Sequence, residues 1–402
     1  MLAAWMRRAV LIAVMGILTL TISAAPSQVS ADTPVDAAGQ NSEETAAREG
    51  DGPVEVQAAP SATIVAPSAA IGDFGANQGN VWDMDSTSDI VWTQRNASGQ
   101  TIALSQPFQG IVRGRVPEGD DLAIAFYASS SNNLPSSRYH HLTYRLKIAA
   151  EGDCRTNGRV IYAKAWPNWL GSQVYTYAYV PHSAPMNCGY GNYCIYYMDL
   201  SSNSNDIQGP DTATWFKDPP PWPSDPVKAF GMWAHERWVN CSGGPNYFDI
   251  DYAYLTGDIV AREKDDYRYT LKWNVTDPDG GTVTSELRYR EVPELLLPSE
   301  APTCNSSNFT TTWAYIDRTT TDVLPIPSYP NKTYLPVVMV GGASGGTGAY
   351  NTTYNWDLSG SAFEDGLSYY VCIRVDDGTS QSYAVSSAPV IRVPHSPNFA
   401  GD

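Results

Sequence analysis

The stretch from Asn246 to Asp258 alternates apolar and acidic side chains. Apolar residues recur at every second position, at Phe248, Ile250, Tyr252 and Tyr254. Two aspartates stand between them, Asp249 and Asp251. A period of two is typical of a β-strand with one buried face, and the Thr-Gly-Asp that follows is a turn signal. We therefore predict a strand whose four apolar side chains share one face, and which closes one β-sandwich before a second begins.

The sequence from Gly72 to Gly257 contains many short segments rich in β-branched and aromatic residues, separated by Gly, Pro, Asn and Ser. Such segments predict strands, and we find no helical period longer than two turns between them. Many short strands over roughly 185 residues favour a jelly-roll sandwich over the smaller immunoglobulin type.

A second set of strand patterns follows residue 258. Tyr267–Val275 and Thr282–Tyr289 flank Asp277-Pro-Asp-Gly-Gly281, which is a strong turn sequence. Three further segments complete this set, at Thr353–Leu358, Leu367–Asp376 and Ala388–Val393. The long middle from residue 291 to 350 is rich in Pro, Thr, Gly and Asn, and it predicts an insertion between strands.

Two of these patterns resemble known families. The segment Ser137–Ile148 and the closing Phe248–Leu255 resemble strands of galactose-binding-like jelly rolls, which are typical of carbohydrate-binding modules. The segment Gly366–Asp376 resembles the E–F corner and F strand of fibronectin type III-like and immunoglobulin-like domains. The second resemblance implies that Tyr369 or Tyr370 is a corner tyrosine and that Trp273 is the core tryptophan of strand B.

Together these patterns predict an all-β protein, a jelly-roll β-sandwich over residues 72–257 followed by an immunoglobulin/fibronectin III-like sandwich over 258–393. Arginines 7 and 8, the apolar run 9–20 and the small residues 29–31 predict a cleaved signal peptide over 1–31. Residues 32–71 contain no aromatic side chain and predict a disordered acidic linker, and 394–402 form a C-terminal tail.

The net charge of −17 argues against nucleic acid and anionic membranes as partners, because such a surface repels their phosphates. The sequence has no second hydrophobic span, so we expect a secreted or cell-surface protein with no membrane insertion after signal cleavage.

Six cysteines in an exported chain predict three disulfides. Four of them fall in the first predicted domain and two in the second, which favours the pairs Cys154–Cys241, Cys188–Cys194 and Cys304–Cys372. The spacing of the second pair is wrong for a zinc site, and no histidine follows it at ligand distance.

Aromatic residues beside proline and polar residues are candidates for stacking against sugar rings. Four tryptophans in predicted loops meet this description: Trp166, Trp169, Trp215 and Trp222. The alternative is that these rings pack over one end of the sandwich.

Aspartates near the start of the first domain are candidate calcium ligands, together with one on the closing strand: Asp83, Asp85, Asp89 and Asp251. Their spacing is not that of a calcium loop, and solvated turn carboxylates are the alternative. His140 and His141 are adjacent, so on a strand they would point to opposite faces and could not chelate one metal.

We find no catalytic motif, so the leading hypothesis is a non-catalytic surface protein that binds neutral carbohydrate through the loops of the jelly roll, with the second sandwich as a spacer. It needs no cofactor beyond an optional structural calcium. A structural or adhesive protein that binds other extracellular proteins is the second hypothesis. A polysaccharide-active jelly-roll enzyme is the third hypothesis, since two carboxylates that match no recognised motif can still form a catalytic pair.

Overall fold

The computed structural model describes residues 58–96, 98–117, 122–149, 156–163, 174–181, 192–201, 227–237, 247–293, 295–323 and 350–394. All of them belong to one compact unit that extends from residue 56 to 402. The regular structure in these segments is almost entirely β, which confirms the predicted all-β fold class.

The first eleven strands, β1 to β11, are Ser61–Ala66, Trp92–Thr93, Ala103–Phe108, Ile111–Arg115, Ile124–Ala128, His141–Ala149, Thr156–Ala163, Val174–Pro181, Cys194–Asp199, Ala229–Arg237 and Tyr247–Thr256. Strands β12 to β19 are Val260–Arg262, Arg268–Thr276, Gly281–Val292, Ala314–Val323, Tyr350–Asp357, Ser368–Asp376, Gln381–Val385 and Val390–Val393. The helical elements are the short helix α1, Phe74–Asn77, and 3₁₀ turns at Ala69–Ile71, Thr87–Asp89, Glu263–Asp265 and Pro298–Glu300.

Strands β2 to β11 form two five-stranded sheets that we call the first sandwich. One sheet has the order β2-β5-β10-β7-β8 and the other β3-β4-β11-β6-β9. Their inner faces share one apolar core, in which the Trp82 ring stacks on Phe126 at 5.5 Å and on Phe230 at 6.3 Å between ring centres. Burying rings of this size on both inner faces is what holds two sheets face to face.

Strand β11 lies in the middle of its sheet, between β4 and β6, and nine of its ten residues are buried. A β-bulge between Ile250 and Tyr252 shifts the register against β6. The prediction that four apolar residues share one face is therefore wrong. Ile250, like Phe248, points into the first core, whereas Tyr252 and Tyr254 lie on the opposite face, because one extra residue reverses the alternation.

The remaining strands form the second sandwich. Its three-stranded sheet has the order β1-β13-β16, and its six-stranded sheet has the order β12-β19-β17-β14-β15 with β18 paired to β17. Trp273 is fully buried between the sheets. The buried Tyr369 hydroxyl donates to the carbonyl of Glu364 at 3.3 Å and accepts from the amide of Glu364 at 2.7 Å. This pair of bonds ties the start of β17 to the turn before it.

The first strand corrects the predicted linker. Residues 32–71 were expected to be disordered, but Ser61–Ala66 pair antiparallel with β13. The signal was the β-branched run Thr63-Ile64-Val65, whose burial alternates, and the lack of aromatic residues concealed it. The chain therefore contributes one strand to the second sandwich, crosses to the first, and crosses back after β11.

The disulfide between Cys304 and Cys372 is present, as predicted, with the two Cα atoms 6.2 Å apart. It joins the long middle segment to β17 and is packed among Phe309, Trp313 and Tyr370. The same segment also contributes β15 to the six-stranded sheet, which the sequence did not predict. Cys194 is also disulfide-bonded. The predicted Cys154–Cys241 pair and Cys188 lie outside the described residues.

An apolar seam joins the two sandwiches. The rings of Tyr252 and Tyr254 stack at 4.4 Å and pack with residues of the second sandwich, Leu295, Ala388, Ile391 and Val393. Gly366, with a φ of 79°, lies directly against the Tyr252 hydroxyl, and a Cβ atom at this position would overlap it. The seam therefore depends on a residue without a side chain at this point.

We expect Gly366→Ala to lower the free energy of unfolding by about 2–4 kcal/mol, because alanine disfavours a positive φ and its Cβ would clash with Tyr252. Urea unfolding measures this loss. The matched control is Gly360→Ala in the same loop, where an added Cβ meets only Phe363 at 3.9 Å, and which should change stability by less than about 0.5 kcal/mol. Equal losses in the two variants would contradict the predicted clash.

Candidate functional site

The four tryptophans predicted to stack on sugars, Trp166, Trp169, Trp215 and Trp222, lie outside the described residues. The described part of the first sandwich contains four other polar arrangements. They are a cleft beside α1, a charged face on the sheet that contains β11, a group of aspartates at the edge of that face, and a histidine cluster at the start of β6.

The cleft has a volume of about 660 Å³ and lies between α1 and the loop that joins β5 to β6. This size is within the range of small-molecule sites, roughly 300–1,000 Å³. Four side-chain amides line it with one arginine: Asn77, Gln78, Asn132, Asn133 and Arg138. The buried rings of Phe74 and Tyr139 also line it, edge to face at 5.3 Å.

The loop side of the cleft is held in place by hydrogen bonds from side chains to the loop backbone. Ser129 Oγ accepts from the amides of Ser131 and Asn132, at 3.3 and 2.9 Å. Lys228 Nζ donates to the carbonyl of Ser131 at 2.9 Å, and the buried Leu134 pairs with Val227 at the start of the β10 region. The loop therefore presents the Asn132 and Asn133 side chains from a fixed backbone.

The helix side of the cleft is held by a buried carboxylate. Asp73 Oδ2 accepts from the amide of Ala76 at 2.8 Å, and Oδ1 accepts from the amide of Leu255 on β11 at 3.0 Å. Burial raises the pKa of the Asp73 carboxyl to about 7, against the lowering effect of these bonds. Asn77 in turn donates to the Tyr139 hydroxyl at 3.0 Å. Both walls of the cleft are thus anchored to the sandwich.

An amide side chain can both donate and accept hydrogen bonds. The Asn77 amide already donates to the Ala69 carbonyl and the Tyr139 hydroxyl, so the amides of Gln78, Asn132 and Asn133 are the ones that match the hydroxyl groups of an uncharged polar ligand. The sequence prediction missed this cleft. The available signal was the polar run Ser129-Ser-Ser-Asn-Asn133 after a buried strand. This run is typical of an ordinary turn, and only the fold places it opposite α1.

The charged face lies on the outside of β4, β6 and β11. The almost fully buried Asp249 accepts from Nε and Nη2 of Arg113 at 2.6 and 2.8 Å, and Lys147 Nζ lies 3.9 Å away. The Arg113 guanidinium lies 4.0 Å from the ring centre of Tyr247, and Arg145 lies 4.7 Å from that of Tyr193. Hydrogen bonding to Asp249 raises the pKa of Arg113. The charges of this face are largely satisfied by each other.

Three of the four candidate calcium ligands lie at one edge of this face, in front of Gly110, and Asp83 is present there through its backbone carbonyl; Asp89 is not among the nearest groups. A Cβ atom on Gly110 would lie 3.6 Å from Oδ1 of Asp85, 3.9 Å from the carbonyl of Asp83 and 4.0 Å from Oδ1 of Asp251. Burial, with the charges of Asp85 and Asp89, raises the pKa of the Asp83 carboxyl to about 6. The second oxygen of Asp251 is paired with Arg145. Carboxylate and carbonyl oxygens facing one small space fit the donor set that calcium takes.

The histidine prediction is wrong. Nε2 of His140 and Nε2 of His141 lie 3.2 and 3.1 Å from the same oxygen of Asp258. The alternation rule does not apply because β6 begins at His141, so His140 precedes the strand and its ring turns to the same side. Asp258 follows β11 and belongs to the crossing into the second sandwich.

No family model and no curated protein sequence matches the chain. Among solved structures, a β-glucuronidase of Bacteroides uniformis is similar with a TM-score of 0.16 and 10% identity, over 81% of this chain and 32% of that chain. A likeness at this level carries no argument about fold or function. Across the described segments, no helix is both long and apolar enough to cross a membrane.

The Asp249–Arg113 pair should be strongly coupled in a double-mutant cycle. Asp249→Asn leaves the Arg113 charge without its partner, so we expect a loss of about 2–4 kcal/mol in the free energy of unfolding. The double variant with Arg113→Met should lose less than the sum of the single losses, with a coupling of about 1–3 kcal/mol in urea unfolding.

Asp265→Asn is the control for this cycle, because Asp265 pairs with Arg262 in a more exposed position. It should cost less than about 1 kcal/mol. Strict additivity of the Asp249 and Arg113 losses would show that their contact is not energetically important.

Proposed function

We propose that this chain is an exported, non-catalytic protein whose first sandwich binds neutral carbohydrate, while the second sandwich is a spacer packed against it. The observation that carries the proposal is the anchored cleft of about 660 Å³, which is lined by one arginine and by the amides of Gln78, Asn132 and Asn133. Sugar hydroxyls both donate and accept, as these amides do, and an uncharged ligand meets no repulsion from a chain of net charge −17.

The same proposal assigns each sandwich to a family type. Two five-stranded antiparallel sheets around one core support a galactose-binding-like jelly roll for the first sandwich. The sheets β1-β13-β16 and β15-β14-β17-β18 support a fibronectin type III-like arrangement for the second. The buried Trp273 on β13 and the Tyr369 bonds to the Glu364 backbone further support this second assignment.

On this assignment the jelly roll is inserted between the first strand of the fibronectin-like domain and the rest of it. The chain then connects the two domains at two points. These two connections and the apolar seam together would hold the binding domain in a defined orientation on the spacer.

A glycan array followed by calorimetry on each hit tests the binding proposal. We expect Asn132→Ala combined with Asn133→Ala to weaken the best hit about 30-fold, since two lost hydrogen bonds cost about 2 kcal/mol. The exposed Asn351→Ala on β16 is the matched control and should leave the affinity unchanged.

The same array distinguishes the cleft from the tryptophan loops. If the Trp215→Ala and Trp222→Ala double variant loses binding while the Asn132 and Asn133 variant keeps it, the ligand lies on those loops. The absence of any glycan hit, with concentration-dependent self-association, would instead favour an adhesive protein. Release of reducing sugar from a hit by the wild-type chain would identify an enzyme.

We further propose a structural calcium ion among Asp83, Asp85 and Asp251. Calcium at 100 times its Kd should stabilise the chain by about 2.7 kcal/mol in thermal or urea unfolding. Asp85→Ala should abolish this gain, because it removes the side-chain oxygen that faces Gly110. Asp266→Asn, at an exposed turn position, should keep it. Equal calcium responses in both variants would contradict the site.

A further inference from the structure

Two histidines and an aspartate bring three metal-ligand atoms together at the crossing between the sandwiches. Nε2 of His140, Nε2 of His141 and a carboxylate oxygen of Asp258 all lie within 4.8 Å of one another. Across the described segments, this is the one set of three His, Cys, Asp or Glu residues that gathers this closely. The calcium candidates contribute a backbone carbonyl and form a separate group around Gly110.

The separations match the edges of a metal coordination shell. Ligand atoms about 2.0–2.1 Å from a tetrahedral zinc ion lie about 3.3 Å from each other. The distances from Nε2 of His140 and of His141 to the Asp258 oxygen are 3.2 and 3.1 Å. A cation could therefore bind between them with only small adjustments of the side chains.

The histidine in the interior is already oriented by a second residue. Nδ1 of His141 lies 2.8 Å from the Tyr197 hydroxyl, and the two rings stack at 5.8 Å. When Nδ1–H donates its hydrogen bond to this hydroxyl, Nε2 carries the lone pair that binds a metal. Metal-binding histidines are held in this way by a hydrogen bond to the other ring nitrogen.

The cluster is closed on one side and open on the other. The His141 side chain is 4% exposed, whereas that of Asp258 is 76% exposed. A metal held here would have protein ligands on the inner side and room for water or a further ligand on the outer side. Three protein ligands with one open position are typical of sites at which zinc binds an exchangeable ligand.

We propose that His140, His141 and Asp258 bind one divalent transition-metal ion, with zinc as the best match. Two imidazoles and a carboxylate suit zinc and are a poor donor set for calcium, which takes oxygen ligands. Since Asp258 follows β11 and the histidines stand at the entry to β6, the ion would link the crossing segment to the first sandwich. This proposal does not depend on the carbohydrate proposal.

Metal-free, the same contacts are two hydrogen bonds, in which both Nε2 atoms donate to one oxygen of Asp258. A cluster that serves only to make these two hydrogen bonds would not bind a metal ion. Titration with zinc therefore distinguishes the two states directly, and binding of cobalt with its visible absorption band reports the coordination geometry.

The untagged chain, stripped of metal, should bind one equivalent of zinc in competition with a chromogenic chelator. We expect His140→Ala and Asp258→Asn each to weaken binding at least about 100-fold, since even the loss of an outer hydrogen-bond partner costs about 10–100-fold. Tyr197→Phe should weaken binding about 10-fold, because it removes only the bond to Nδ1.

His395→Ala and Asp266→Asn are matched controls, which remove a histidine and an acid from elsewhere in the chain and should bind zinc as the wild type does. Calcium should not compete. Zinc binding that is unchanged in both His140→Ala and Asp258→Asn would show an adventitious site elsewhere and overturn the proposal. The absence of zinc binding to the wild-type chain would show that only the hydrogen bonds exist.

Discussion

The burial of β11 on both faces is the constraint on which the rest of this structure depends. One face of the strand completes the core of the first sandwich. The opposite face carries Asp249 of the charged face and packs, through Tyr252 and Tyr254, against the second sandwich. A single bulge at Asp251 makes this division possible, because it turns Tyr252 and Tyr254 outward to the seam while Phe248 and Ile250 remain inside. Without that extra residue, the seam would lose both stacked tyrosines.

The seam in turn explains why the two sandwiches form one compact unit. The chain crosses between them twice, before α1 and after β11, and an apolar cluster lies between the two crossings. Backbone hydrogen bonds support both crossings. The amide of Gly257 donates to the carbonyl of Ile71 at 3.0 Å, and the amide of Ile391 donates to the carbonyl of Ile259 at 2.8 Å. Two chain crossings with packed tyrosine rings between them restrict the rotation of one sandwich against the other far more than a single flexible linker would.

Several polar features of the first sandwich are built on these same elements. Asp73, which anchors the cleft helix, bonds to Leu255 on β11, and Asp258 of the histidine cluster follows the same strand directly. Asp249 and Asp251 organise the charged face from the middle of it. The candidate side chains of all these sites are therefore positioned from one central strand, although several of them are carried by loops.

The sequence by itself determined the all-β fold class and the strand character of most segments, because these follow from local period and composition. The resemblance to fibronectin-like domains implied the buried Trp273, and the predicted domain division favoured the Cys304–Cys372 disulfide. Only the tertiary structure decided which face Tyr252 occupies, that Ser61–Ala66 pairs with β13, and that His140 and His141 meet at Asp258. A bulge, a long-range strand pairing and a cluster across a crossing depend on contacts between distant residues, and a local pattern contains no information about them.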